Sequence, residues 1–222
     1  MTRPRAWLAW SSGKDSAWAL HVLRSRGEVD VVGLLTTYTE PFERVSMHGV
    51  RLALVRAQAA AVGLPLHLVA IPAPCPDAEY RARMGVAMDA ARAAGVTHVA
   101  FGDLFLADVR AYREAQLAQA GLAGLFPLWG EDTTALMATM LAAGVEAWVT
   151  CVDPRQAPRA LAGQRLTSSV IAALPPGVDR CFERGELHTF AAAGPAFTHR
   201  VEVRPGAVVD RDGFVFAELL PA

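Results

Sequence analysis

The sequence predicts an α/β protein in which a parallel, doubly wound sheet is followed by a smaller α+β lobe. Over the first 130 residues, short apolar runs alternate with amphipathic helical stretches, and the runs are nearly continuous, as in strands buried on both faces. Further along, Leu187–Glu218 has the pattern of several short strands with little helix between them. We therefore expect two domains, residues 1–130 with the parallel sheet and residues 131–222 with the smaller lobe.

The elements of the first domain follow from the spacing of its apolar residues. Four runs are predicted as strands: Ala6–Trp10, Val31–Thr37, Leu66–Ile71 and Val96–Phe101. Four stretches are predicted as helices: Asp15–Arg26, a segment with Leu52, Val55, Ala59 and Val62 on one face, Ala78–Ala94 and Ala107–Ala120. Each helix follows a strand, which is the order that a parallel sheet requires.

The second domain opens with one more helix and one more apolar run. The helix is predicted over Thr133–Ala143 and the apolar run over Ala147–Val152. Asp210-Arg211-Asp212-Gly213 has the composition of a hairpin turn between two of the short strands. These signals together predict the α+β lobe.

Composition limits the class of protein and its partners. Hydrophobic residues make up 53% of the chain and charged residues 19%, which is typical of a compact folded protein. Lys plus Arg number 21 and Asp plus Glu 22, so the net charge is −1 and no overall basic surface for nucleic acid is expected. The N-terminal apolar run is too short for a signal-peptide core or a membrane span. We expect a cytoplasmic protein without membrane or nucleic-acid partners.

The three cysteines, Cys75, Cys151 and Cys181, lie far apart and form no C-x-x-C pair. This argues against a disulfide scaffold and against a four-cysteine zinc site. We interpret them as buried thiols without a catalytic role.

A phosphate-binding loop is predicted where the first strand passes into the first helix. The loop is Ser11-Ser12-Gly13-Lys14-Asp15-Ser16, and it contains the only lysine of the chain. A helix N-terminus offers unpaired N–H groups and partial positive charge, small residues let the backbone approach an anion, and serine hydroxyls add donors. Lys14 would add a positive charge for the phosphates, and Asp15 would bind magnesium or cap the helix.

This loop differs from a Walker A loop, which requires a glycine where Leu8 stands and a Ser or Thr where Asp15 stands. The structural alternative is a serine-rich cap on an ordinary strand-to-helix turn. Its position after the first strand favours phosphate binding.

Further candidates lie at strand ends or before a helix. Thr36 and Thr37 end the second predicted strand and Gly102-Asp103 follows the fourth, where open α/β sheets bind ligands. Asp103 would hold magnesium or a ribose hydroxyl, the backbone at Thr36 and Thr37 would meet adenine, and His48 would contact a nucleotide phosphate. A strand-end threonine, a turn and a surface histidine are the structural alternatives.

Two groups of charged residues could contact a substrate. Arg110 and Arg113 lie three apart on one predicted helix face and could hold an anion, although solvated helix arginines are common. Glu183, Glu186 and His188 cluster in a glycine-containing turn, and alternation would place the last two on one side of a strand for proton transfer. From the sequence alone, a structural turn with solvated charges is the better explanation of these three residues.

The segment Trp10–Leu20 resembles the S-G-G-x-D-S signature of the N-type ATP pyrophosphatases, and the chain as a whole resembles the diphthine–ammonia ligase family. The resemblance covers nearly the whole sequence. It continues through Met47–Val50, Gly102–Leu104 with the nearby residues Arg110, Tyr112 and Arg113, Phe126–Trp129, Gly185–Phe190 and Gly194–Phe197.

Three residues depart from the related pattern. Ser12 replaces the first glycine of the signature. Phe182 stands where the C-G-E-x-G-E-F-H-T pattern has glycine, and Leu187 replaces its phenylalanine. The last two changes fall in the expected substrate half, so they leave the acceptor unidentified.

The resemblance implies a sheet of the adenine nucleotide alpha hydrolase-like (HUP) type and an ATP-dependent ligase that adenylates a carboxylate, releases pyrophosphate and forms an amide with an amine or ammonia. ATP and Mg²⁺ are the implied cofactors, and a homodimer is left open. The implied catalytic residues are Lys14, Asp15, Glu186 and His188, and the metal ligands are Asp15 and Asp103. The implied nucleotide contacts are Ser11, Ser12, Gly13, Lys14, Asp15, Ser16, Thr36, His48, Gly102 and Asp103. The implied substrate contacts are Arg110, Arg113, Glu183 and Thr189.

Two other functions remain compatible with such a loop. A tRNA-thiolation enzyme would need a cysteine pair and a basic RNA surface, and neither is evident in the sequence. A nucleotide-binding sensor without catalysis would return labelled ATP intact, whereas a ligase would yield AMP once its substrate is present.

Overall fold

The computed structural model of the chain describes residues 2–222, and it confirms the predicted α/β class. The first sheet has six strands, which pair in parallel except for the short third strand. They are Arg5–Ala9 (β1), Asp30–Thr39 (β2), Arg44–Val45 (β3), Leu66–Ile71 (β4), His98–Ala100 (β5) and Ala123–Leu125 (β6). All four predicted strands are present. β6 was not predicted, because its three residues include a glycine and are too few to show the apolar pattern of a strand.

Helices cover both faces of this sheet, as a doubly wound fold requires. They span Lys14–Arg26 (α1), Leu52–Val62 (α2), Asp77–Ala93 (α3) and Ala107–Gln119 (α4). Buried residues of α1 and α2 belong to the larger apolar core, and those of α3 and α4 belong to a separate, smaller core. Of the helices in residues 2–222, none combines the length and hydropathy that a membrane span needs.

The parallel strands lie in the order β4-β2-β1-β5-β6, so the order reverses between β1 and β5. β1 and β5 are neighbours that run in the same direction, and their carboxyl ends meet at one edge of the sheet. The segments that leave the two strands diverge to opposite faces and open a crevice between them. The Ser11–Ser16 loop leaves β1 at this point, and Gly102-Asp103 follows β5 there.

The second sheet is antiparallel, with strand order β8-β7-β10-β9. Its strands and the two helices of this part are Thr133–Ala142 (α5), Glu146–Val152 (β7), Ser168–Ala172 (α6), Leu187–Ala193 (β8), Val203–Arg211 (β9) and Phe214–Pro221 (β10). Asp212 and Gly213 form the two-residue turn between β9 and β10, both with positive φ, as the sequence predicted. α6 was not predicted.

One apolar core joins the two sheets. It contains Leu8 of β1 and Leu20 of α1 together with Phe190 of β8 and Val215 of β10. Each half therefore has its own sheet, while the larger core is shared. The division at residue 130 stays a prediction.

A buried amide connects the two halves at the start of the Ser11–Ser16 loop. The Gln58 side chain of α2 is fully buried. Its Oε1 accepts a hydrogen bond from Trp10 Nε1 (2.9 Å), and its Nε2 donates to the carbonyl oxygens of Ser12 (3.0 Å) and Ala191 (2.6 Å). The Ser12 carbonyl also accepts from the Ala191 N–H (2.9 Å). Gln58 thus holds the loop against β8.

We predict that Gln58→Leu destabilises the protein by about 2 kcal/mol or more, because the buried Trp10 N–H and Ala191 carbonyl lose this partner at about 1–3 kcal/mol each. Urea unfolding of the two proteins measures the difference. Gln164→Leu is the control, since the Gln164 amide is exposed and donates to a single carbonyl; its effect should stay within about 0.5 kcal/mol. Equal losses in both variants would contradict the role of Gln58.

Candidate active site

A cavity of about 820 Å³ lies at the carboxyl ends of the parallel strands, where the strand order reverses. The Ser11–Ser16 loop, the ends of four parallel strands, the facing sides of α3 and α4, and the start of β8 form its walls. Its volume falls within the range of about 300–1,000 Å³ that is usual for ligand pockets. Open α/β sheets bind ligands at this place, so the cavity is the candidate active site.

The Ser11–Ser16 loop is held in place by hydrogen bonds within the loop and from β8. Gly13 caps α1 in extended conformation, so Asp15 lies inside the helix and does not cap it. Ser11 Oγ accepts from the Gly13 N–H (3.3 Å), and Thr189 Oγ1 of β8 accepts from the Lys14 N–H (3.1 Å). A Cβ at Gly13 would lie 3.2 Å from His48 Cε1 and 3.3 Å from the Thr189 carbonyl oxygen, so a larger residue would fit only if these neighbours moved by a few tenths of an ångström.

Ser12 has a left-handed backbone conformation, with φ of 73°. This explains why the related signature has glycine at the position, since glycine adopts such a φ without steric cost. The Ser12 side chain is fully buried, and its Oγ has no hydrogen-bond partner among residues 2–222. It lies outside the cavity lining, so Ser12 shapes the loop and does not supply the expected phosphate donor.

Lys14 lines the cavity but its ammonium group is fully partnered by the protein. The Nζ atom donates to both carboxylate oxygens of Asp15 (2.9 Å each) and to the Cys181 carbonyl oxygen (2.6 Å). It also lies 4.7 Å from the centre of the Phe182 ring. Burial opposes the charge, but the neighbouring Asp15 carboxylate outweighs it and raises the pKa of Lys14 above its usual value. Lys14 is therefore a charged, immobilised group.

Carboxylates from three segments line the cavity beside this ammonium. A Cβ at Gly102 would lie 2.9 Å from the Asp15 carbonyl carbon, so the segment after β5 packs directly on the start of α1. This places Asp103 and Glu183 on the same cavity as Asp15. Burial raises the pKa of Glu183 to about 7, and the negative charges of Asp15 and Asp103 act in the same direction. The hydrogen bond that Glu183 accepts from the Leu104 N–H (2.8 Å) acts against this rise. Two of these carboxylates are paired with a cation in the structure, Asp15 with Lys14 and Asp103 with Arg113.

The residues present fit a magnesium ion that arrives with phosphates. Within residues 2–222, no group of three or more His, Cys, Asp or Glu side chains is arranged to hold a metal by itself. Mg²⁺ in nucleotide sites usually needs only one or two carboxylates, because phosphates and water supply the other oxygens. Asp15 and Asp103 both line the cavity and can supply those carboxylates. Their role as ligands stays a prediction.

Two histidines face each other at the β8 end of the cavity. The rings of His48 and His188 lie 4.6 Å apart, and His48 Nδ1 is 3.1 Å from the Thr189 carbonyl oxygen. Burial, with contributions from His188 and Lys14, lowers the pKa of His48 to about 3. Burial and the charge of Lys14 lower the pKa of His188 to about 4. Both rings are neutral at pH 7, so they can contact a ligand as hydrogen-bonding groups without positive charge.

Thr36 and Glu186 lie outside the cavity lining, in contrast to the expectation for each. Thr36 points to the other side of β2, where its Oγ1 donates to the Trp10 carbonyl oxygen (2.7 Å); its neighbour Thr37 lines the cavity. The Glu186 carboxylate is buried and accepts from the backbone N–H groups of Asp179 (2.9 Å) and Arg184 (3.0 Å). Glu186 therefore holds the turn before β8 and does not form an acid–base pair with His188.

The two predicted substrate arginines also separate. Arg113 lines the cavity and binds Asp103 with two hydrogen bonds (2.6 and 3.3 Å). Arg110 points away and donates to Glu114 (2.9 Å). Its guanidinium lies 4.7 Å from the ring centres of two aromatic residues, Phe126 and Trp129. Residues three apart on a helix differ by about 60° in direction, which here decides between cavity and surface.

Sequence reasoning missed several residues of the site. Gln58 carried a signal, because this amide lies on the otherwise apolar face of α2 that Val55 and Val62 share. Phe182 was noticed as a departure from the related pattern, but its contact with Lys14 joins residues 168 positions apart and has no local signature. The role of Thr189 as a partner of the loop backbone has none either.

Comparisons with known proteins identify the family of the chain. A family model of the diphthamide synthase N-terminal domain matches residues 5–122, and one of the diphthamide synthase C-terminal domain matches residues 132–214. A search among curated proteins found no match. The matched ranges contain the Ser11–Ser16 loop, the segment after β5 and the turn before β8. The chain therefore belongs to the diphthamide synthase family, whose domains indicate an ATP-dependent ligase of the PP-loop pyrophosphatase type.

Proposed function

We propose that the protein is an adenylating ligase that forms an amide. A carboxylate oxygen of the acceptor attacks the α-phosphate of ATP, the bond to the β-phosphate breaks, and pyrophosphate leaves. An amine or ammonia then attacks the acyl carbon and loses a proton, and AMP leaves with the electrons of the broken C–O bond. The observation that carries the proposal is the position of the loop: it lies at the strand-order switch, on a cavity that Lys14, Asp15 and Asp103 line together.

The loop supplies the groups that a triphosphate needs. The N–H groups of Asp15 and Ser16, at the start of α1, have no helical acceptor and can bind phosphate oxygens. The hydroxyls of Ser11 and Ser16 line the cavity and can add donors. Lys14 can donate to the departing pyrophosphate in exchange for its bonds to Asp15.

Magnesium would be held by Asp15 and Asp103 together with phosphate oxygens, and it would supply positive charge against the pyrophosphate. Asp15 would then exchange its bonds to Lys14 for the ion. The exchange keeps every charge in the cavity compensated, because the carboxylate gains a cation as the ammonium gains a phosphate.

The apolar part of the cavity, between α3 and α4, is suited to the nucleotide base. Met84 and Met88 of α3, Leu117 of α4 and Phe101 after β5 line it. Flat apolar groups bind in such slots with few polar contacts. We place the acceptor on the opposite side, toward β8, where Glu183 and His188 line the cavity.

A tRNA-thiolation activity is less well supported by the structure. Burial raises the pKa of both the Cys151 and the Cys181 thiol to about 12. A sulfur carrier needs a reactive thiolate, and these two thiols stay protonated at neutral pH. Cys75, which was expected to be buried, is only partly buried, and it lies outside the cavity lining. A non-catalytic sensor is distinguished from a ligase by its reaction products.

We predict that Lys14→Ala weakens ATP binding by about 1–3 kcal/mol, the range for hydrogen bonds to charged groups. Calorimetric titration of folded proteins with ATP and Mg²⁺ measures the change. Arg26→Ala is the control, because this exposed arginine lies in the last turn of α1, far along the helix from the loop. If Lys14→Ala binds ATP as tightly as the wild type does, the loop is not part of the ATP site.

We predict AMP and pyrophosphate as the products, because this loop resembles those that bind the departing pyrophosphate. The protein is incubated with α-labelled ATP, Mg²⁺, ammonium chloride and a panel of carboxylates, and the nucleotides are separated by chromatography. AMP should appear with the matching acceptor and be reduced in Lys14→Ala. ADP with phosphate would contradict the proposal, and ATP recovered intact with every acceptor would favour the sensor.

We predict that Gly85→Leu lowers ATP affinity by roughly tenfold, or 1.4 kcal/mol, without affecting tripolyphosphate. Gly85 lies in α3 on the cavity wall, and a Cβ there would meet nothing within 4 Å, so a leucine would extend into the slot proposed for the base. Binding competition with each ligand is the measurement, and Gly85→Ala is the small control. Equal ATP affinity in Gly85→Leu and wild type would place the base elsewhere.

A further inference from the structure

Phe182 adopts a backbone conformation that phenylalanine rarely has. Its φ is 67°, in the left-handed region, and its side chain is buried. Such a conformation is strained for a bulky residue and persists only where the surroundings impose it. The glycine of the related pattern would adopt the same φ without strain. A contact made by the phenylalanine side chain would explain why this residue, and not glycine, occupies the position.

The turn around Phe182 is imposed by two acidic side chains. Asp179 Oδ1 accepts from the N–H groups of Cys181 (3.0 Å) and Glu183 (3.2 Å). The buried Glu186 carboxylate accepts hydrogen bonds from the backbone N–H groups of Asp179 and Arg184, which lie before and after these two contacts in the chain. The backbone on either side of Phe182 is thus fixed by side-chain hydrogen bonds, independently of what the residue itself is.

This turn directs two groups at one ammonium. The Cys181 carbonyl accepts from Lys14 Nζ at 2.6 Å, and the adjacent Phe182 ring lies 4.7 Å from the same nitrogen. A ring face within about 6 Å of a desolvated cation attracts it. The Lys14 side chain is 2% exposed, so water does not compete for this contact. A glycine at position 182 would keep the carbonyl but provide no ring.

We infer that Phe182 is a positioning residue that fixes the Lys14 ammonium beside the Ser11–Ser16 loop. A free lysine side chain has many rotamers, and ordering it on binding costs about 0.5–1.5 kcal/mol. The ring and the carbonyl order it in advance, so the ligand does not bear that cost. The importance of this for ATP rests on the proposed function, whereas the contact between ring and ammonium does not.

The chain allows a direct test because Lys14 is its only lysine. Protein labelled with ¹³C-lysine gives one set of lysine side-chain signals in an NMR spectrum. Protons near an aromatic face are shifted upfield by the ring current, so the ε-CH₂ protons of Lys14 should be shifted upfield in the wild type. Phe182→Tyr should preserve the shift, and Phe182→Leu and Phe182→Met should abolish it. Unshifted signals in the wild type would overturn the inference without any variant.

ATP titration of the same proteins tests the consequence. Phe182→Leu and Phe182→Met should weaken ATP binding by about two- to tenfold, the cost of ordering one long side chain, and Phe182→Tyr should bind as the wild type does. The inference is overturned if Phe182→Leu and Phe182→Met lose the ring-current shift but bind ATP as tightly as the wild type does. It is also overturned if these variants only melt at lower temperature, because the ring would then have a structural role alone. If the wild type binds no ATP, the proposed function fails, and the ring-current shift of the wild type still decides whether the Phe182 ring contacts the Lys14 side chain.

Discussion

The arrangement of the site depends on the buried carbonyl of Ser12 and on the two hydrogen bonds that it accepts. A buried acceptor without water must be paired within the protein, and here the partners are the Gln58 amide of α2 and the Ala191 N–H of β8. The same amide binds Trp10 at the end of β1. These bonds attach the Ser11–Ser16 loop to both halves of the chain. The second half therefore forms part of the loop's framework and provides one wall of the cavity.

The cavity is governed by a charge constraint. One buried ammonium, that of Lys14, lies among carboxylates of Asp15, Asp103 and Glu183, and Arg113 neutralises one of them. A magnesium ion and a triphosphate bring charges of both signs, so they can exchange partners with this set and leave few charges uncompensated. The arrangement is consistent with the pyrophosphatase-type family to which the chain belongs and with the adenylation that we propose.

The acceptor side differs from the related pattern in a physically interpretable way. The turn before β8 is held by Asp179 and Glu186 in a conformation that suits glycine, yet it contains Phe182. The ring covers Lys14 and forms part of the cavity wall. In the function that we propose, the acceptor would bind beside an aromatic ring that a glycine would not provide.

The sequence by itself determined the elements and their order. Apolar periodicity marked β1, β2, β4 and β5 and their helices, and the loop's place after the first strand located the site, because these signals are local. Only the tertiary structure decided which neighbours reach the cavity: Thr37 and not Thr36, Glu183 and not Glu186, Arg113 and not Arg110. Adjacent strand residues point to opposite faces, and helix residues three apart differ in direction, so register and packing make that choice. The contacts that hold the site, such as Lys14 with Cys181 and Gln58 with Ala191, join segments 167 and 133 residues apart, and such separations leave no pattern in the sequence.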